Sequence, residues 1–180
     1  FIPSVYALTA YVAVIEHNPD LAIRLCKTVL KELKFNLDAG AYKNKKPIPG
    51  SLGGISQLLL VLAEAYKEKK IFVETIRICK IVREIIPIKT NIEKDAHLLP
   101  DLVLKYVYAS YLLADCYFCL SRYKEAVLIL EEIRKIDGLK LEAETNPLSG
   151  CADYYFKTLT LLGSSYGFSF YRDRSYFDKA

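Results

Sequence analysis

The chain has 180 residues, 52% of them hydrophobic, with only eight glycines and seven prolines, which supplies a sizeable core and excludes a disordered linker or tail. Its net charge of +4, from 25 basic and 21 acidic residues, is spread over helix faces and makes no basic stripe of the kind nucleic-acid binders carry. No apolar run reaches the ~20 residues of a membrane span; the longest, Leu98–Leu120, is broken by Pro100, Asp101, Lys105 and Asp115.

Taken in order, the first expected helix runs from about Ser4 to Ile15, with Val5, Leu8, Val12 and Ile15 on one face. Asn18 caps the next helix and Pro19 occupies its first position, where a missing N–H costs nothing. That helix is expected to run to about Phe35 with Leu21, Leu25, Thr28, Val29 and Leu33 inward. Residues 38–50 read as a loop from their Gly, Pro and Asn content. A third helix, about 52–67, is followed by the charged turn KEKK and a fourth from Phe72 to Ile86, stopped by Pro87. After a connection over 88–99, Pro100 opens a long helix to about Leu120, and a further helix spans Tyr123 to Ile136, ended by Gly138. Residues 139–149 read as a connection. The last helix is expected from Cys151 to Tyr166, followed by GFSFYRDRS and the start of another near Ala180.

These elements repeat. Small residues recur in the first helix of each pair at Ala10, Ala63, Ala114 and Gly163, spaced 53, 51 and 49. In the second helix they recur at Ala22, Thr75, Ala126 and Ala180, spaced 53, 51 and 54. Short turns make each pair antiparallel, and stacking pair on pair buries the apolar face that one pair cannot bury alone. The expectation is an all-α chain of stacked helix pairs at about 4–36, 51–87, 100–138 and 151–180, forming a single domain over 1–180. The chain begins at Phe1, contains no Met and stops within a helical pattern, so it reads as part of a longer protein. Five cysteines, odd in number and mostly within helices, suit a reducing, cytoplasmic setting, with the nucleus as the alternative.

The segment Tyr111–Asp137 carries a resemblance. Leu113-Ala114, Tyr117, Tyr123, Ala126 and Leu130 fill the slots of the tetratricopeptide (TPR) repeat, a 34-residue helix pair. Leu62-Ala63, Tyr66, Phe72, Thr75, Cys79 and Pro87 fill them again, and the outer two copies match less completely. The resemblance implies a TPR-like α-solenoid with insertions near 37–55, 90–106 and 141–155, which a close-packed TPR array lacks. The order of parts (HNPDLA, KNKKPIPGSLGG, QLLLVLAEAY, YLLADCYFCLSRYKEA) is also similar to the TPR subunits of the TRAPP vesicle-tethering complex. That likeness implies a non-catalytic scaffold in a multiprotein assembly. A TPR subunit of a nuclear or mRNA-processing assembly is the alternative.

In TPR folds the concave face is lined by fixed positions of each first helix. The resemblance places Gln57, Leu60, Glu64 and Lys67 there in the second copy, and Tyr108, Tyr111, Asp115 and Phe118 in the third. Tyrosines offer rigid contact area to a protein or peptide partner; the competing reading packs these aromatics against a neighbouring helix. Leu60/Glu64 and Tyr111/Asp115 stand where chaperone-tail clamps have Lys and Asn, which argues against a carboxylate clamp.

Other motifs weigh less. Gly163-Ser-Ser-Tyr-Gly167 matches the G-x-S-x-G of serine hydrolases at Ser165, yet no His follows it. Cys116 and Cys119 have zinc or redox spacing without two further ligands. Lys43, Lys45 and Lys46 ahead of Ser51 at a helix start could contact an anion. No metal, cofactor or small-molecule substrate is implied.

Overall fold

The computed structural model describes residues 2–38, 52–86, 100–146 and 150–177. Every regular element among them is helical: α1 (Ile2–Ile15), α2 (Pro19–Glu32), α3 (Leu52–Glu68), α4 (Phe72–Ile85), α5 (Pro100–Cys119), α6 (Tyr123–Arg134), α7 (Asp137–Thr145) and α8 (Gly150–Phe177). The chain forms two compact units, Phe1–Leu112 and Leu113–Ala180, with α5 beginning in the first and ending in the second.

In the first unit α3 is the hub, packed against α1, α2 and α4. Its sequence explains this. Leu58, Leu59, Leu60, Val61, Leu62 and Ala63 are a continuous apolar run, so α3 is buried almost all round rather than on one stripe. Amphipathic α2 lies against it. The N-terminus of α2 is capped by the Asn18 side chain, whose Oδ1 accepts from the Leu21 amide at 3.2 Å, with Pro19 at the first turn. The buried stripe of α2 is Ala22, Cys26, Val29 and Leu30, one position round from the expected one; Thr28 is exposed and Leu33 largely so. Small Ala22 and Cys26, both wholly buried, allow a close approach to the neighbouring helices that the leucines of the expected stripe would block.

The first helix also corrects its expectation. It buries its alanines, Ala7, Ala10 and Ala13, while Val5, Leu8, Val12 and Ile15 lie exposed.

Three helix–helix turns share one geometry. His17, Lys70 and Ser121 have φ of 55°, 59° and 58°, the left-handed region. In each, the following amide reaches back over the turn: Asn18 to the Ala13 carbonyl at 2.8 Å, Ile71 to Tyr66 at 2.9 Å, Arg122 to Tyr117 at 2.8 Å. This is a Schellman end to the preceding helix, made three times at the 53- and 51-residue spacing of the small-residue slots.

In the second unit α8 packs against α6 and α7, and α7 also touches α6. Two expectations fail there. Residues 137–145, read mostly as a connection after a stop at Gly138, form the short helix α7, with Leu139 and Ala143 buried. The expected turn at 167–175 is not formed, and α8 continues unbroken to Phe177. Of the insertions, 52–55 belongs to α3, 100–106 to α5, 141–145 to α7 and 150–155 to α8, while 39–51, 90–99 and 147–149 lie outside the described residues.

By length and composition Asp101–Cys119 passes as a membrane-spanning helix, with mean hydropathy 1.2. Rather more than half of that stretch (56%) is buried inside the protein, as in a core helix.

Candidate binding cleft

A cleft of about 430 Å³ opens on the first unit. Its walls come from three helices: Ala7, Leu8 and Tyr11 of α1; Gly53, Gly54 and Gln57 of α3; Asp101 and Lys105 of α5. Each of these helices is the first member of an expected pair. A β-carbon at Gly53 would stand in ordinary contact with the α5 wall, 3.8 Å from the Lys105 ammonium and 3.9 Å from the Asp101 carboxylate. Lys105 is itself directed by an ion pair with Asp101 one turn earlier on α5. The cleft therefore combines an aromatic ring and an exposed leucine on α1 with an amide on α3 and a charge pair on α5.

Of the expected groove residues, Gln57 lines this cleft. Glu64 lies two turns further along the same face of α3 and is half-buried. Burial pushes its carboxyl up to about 7, and the Lys67 ammonium one turn on pulls it partly back. Lys67, Tyr108 and Tyr111 are half-buried in the same unit, as are Asp115 and Phe118 in the second. Leu60 is only 2% exposed and offers no surface to a partner. Phe118 is engaged within the second unit, its ring 5.3 Å from Tyr123 and 5.6 Å from Phe168. For this residue the packing reading of the aromatics holds. Residues 43, 45, 46 and 51, the expected anion contact, lie outside the described residues.

The sequence missed Ala7, Leu8, Tyr11, Gly53, Gly54, Asp101 and Lys105. A signal was available. Gly53 precedes Gln57 by four residues, and Lys105 precedes Tyr108 by three, so extending the expected line one turn toward each helix start reaches these two, while α1 carried no expected line to extend.

The remaining motifs resolve into packing. Ser165 is fully buried in the middle of α8, and its hydroxyl donates to the Leu161 carbonyl at 2.7 Å. A nucleophile elbow needs a strand, a sharp turn and an exposed serine; this segment is continuous helix. Cys116 is buried and Cys119 exposed, and no cluster of three or more potential metal ligands occurs among the described residues. Burial pushes the Cys26 thiol up to about 12, so it carries no thiolate at neutral pH. His17 is largely exposed, and its Nδ1 lies 2.9 Å from Glu68 Oε1. With the Asp20–Lys69 ion pair beside it, this ties the α1–α2 turn to the α3–α4 turn.

Comparison with protein-family models, curated proteins and solved structures finds no match to this chain.

Proposed function

We propose that this chain is a non-catalytic scaffold, a TPR-like solenoid that holds a segment of a protein partner in the cleft between α1, α3 and α5. The observation that carries the reading is the origin of the cleft walls, which come only from the first helices of three successive pairs. In a stack of antiparallel pairs, those helices form the concave side, where partners bind. The repeated left-handed turn at His17, Lys70 and Ser121 supports the stacking, because one turn geometry per pair gives one angle per pair. The order of parts resembles vesicle-tethering TPR subunits, and the proposed setting is such a multiprotein complex.

Affinity purification of the tagged chain with mass spectrometry tests both levels. Recovery of tethering subunits supports the setting; recovery of nuclear or mRNA-processing subunits replaces it with the alternative and keeps the scaffold. The cleft is tested by Leu8→Glu combined with Tyr11→Ala. Leu8 is 64% and Tyr11 42% exposed, so the helical content should not change while the partner is lost. Retention of the partner at wild-type level would remove the cleft from the mechanism.

A further inference from the structure

Glu64 is a half-buried carboxyl that the protein itself leaves unsatisfied. It stands seven residues beyond Gln57 on α3, about 10 Å along the same face. Among the described residues no hydrogen-bond donor reaches it. The charge acting on it is that of Lys67, whose effect is smaller than that of burial. Lys67 sits in the last turn of α3, toward the negative end of the helix. Gln57, half-buried in the cleft wall, likewise has no hydrogen-bond partner among the described residues. Both groups have lost water without gaining a partner, a cost that an incoming hydrogen bond removes.

The charges of the cleft are unevenly presented. In the Asp101–Lys105 ion pair of the α5 wall, the lysine side chain is 13% exposed and the aspartate 61%. The cation is covered and neutralised by its neighbour, while the anion faces solvent. A segment entering the cleft therefore meets the acidic member of that pair, and an acid again at Glu64.

We infer that the cleft selects a basic segment: a lysine or arginine of the partner is held by the Glu64 carboxylate, while the Gln57 amide pairs with the partner's backbone. The inference rests on the cleft between α1, α3 and α5 being the partner site. The Gln57 side chain offers a donor and an acceptor, as a peptide unit requires. A chain extended along α3 advances about 3.3 Å per residue, so its basic side chain stands about three residues from the point held by Gln57. An apolar segment would cover Glu64 without supplying a donor, and an acidic one would set like charges together.

NMR titration of the isotope-labelled chain with three synthetic peptides tests this. The peptides share one apolar frame and differ only in carrying two lysines, two glutamines or two glutamates. Amide shifts locate the site and give each dissociation constant. The lysine peptide is expected to shift the amides of Gly54, Gln57 and Glu64 and to bind about tenfold more tightly than the glutamine peptide, with the glutamate peptide weakest. Glu64→Gln, which keeps the shape of the side chain, is expected to bring the lysine peptide down to the level of the glutamine peptide while circular dichroism stays unchanged. Equal affinity of the three peptides at the cleft amides, or a lysine preference that survives Glu64→Gln, would overturn the basic-segment inference and leave the cleft reading standing. Shifts confined to other helices, or none with any peptide, would overturn both.

Discussion

Helices α1 and α3 occupy the same place in successive pairs, 53 residues apart, and meet opposite fates. Val5, Leu8 and Val12 are 61%, 64% and 44% exposed, while their counterparts Leu58, Val61 and Ala65 are at most 1% exposed. The residue types are similar and the helices equally regular. What differs is the neighbourhood: α3 packs against α1, α2 and α4, whereas among the described residues α1 packs against α2 and α3. Burial here is set by position in the stack, and apolar patterning alone does not report it.

The strongest way to break this comparison is a matched pair of truncations. Leu58→Ala should cost about 2–5 kcal/mol, by lost transfer energy plus the cavity left among close-packed neighbours. Val5→Ala, at the same slot one pair earlier, should stay within about 0.5 kcal/mol. Urea unfolding followed by circular dichroism measures both, and equal costs would abolish the distinction.

Glu64 gives the next largest effect, because the corresponding position of α1 is the uncharged Tyr11. Its carboxyl is held at about 7 in the folded chain, above the usual 4.5, by burial. Below pH 4.5 both folded and unfolded forms are protonated and nothing is lost. As pH rises toward 7, the unfolded chain gives up its proton first and stability falls; above 7 the loss is constant. Glu64→Gln should therefore stabilise by an amount on the order of 1–3 kcal/mol at pH 8 and by almost nothing at pH 4. Unfolding curves at the two pH values check the sign, and a larger gain at the acid end would contradict it.

A smaller effect sharpens the comparison at the second helices. Asn18 caps α2 with its side chain, whereas Ile71 stands at the same slot of α4 with no side-chain cap. Asn18→Ala should cost about 1 kcal/mol, and Ile71→Asn should gain about as much. Thermal melts of the two variants should move in opposite directions. Smallest is Lys70→Gly, which relieves a left-handed φ of 59° and should stabilise by about 0.5–1 kcal/mol. No rise in the urea midpoint would show that the turn tolerates lysine without cost.

Much of this was legible in the residues. Ala10, Ala63 and Ala114 were picked out by spacing alone, and all three are wholly buried. The Asn18-Pro19 cap, the Pro100 helix start and the turn after Leu120 were readable because each rests on chemistry within a few residues. The stripe of α2 was placed one residue round because its leucines outrank Ala22 and Cys26 in hydrophobicity, whereas close helix packing rewards small size. The continuation of α8 through 167–175 was missed because the repeat register was carried across a stretch with no turn chemistry of its own. All of the cleft but Gln57 was missed for another reason. Periodicity tells which residues share a face, but not where along the helices a gap opens.

A carboxyl held near pH 7 on the proposed partner-facing side of α3 also makes recognition measurable in protons. At neutral pH Glu64 is close to half ionised. A basic segment laid beside it would expel the remaining proton to solvent, and an apolar one would draw a proton in. Calorimetric titrations in two buffers of different ionisation heat would then differ for the same ligand, and the sign of that difference would report the charge of whatever the groove holds.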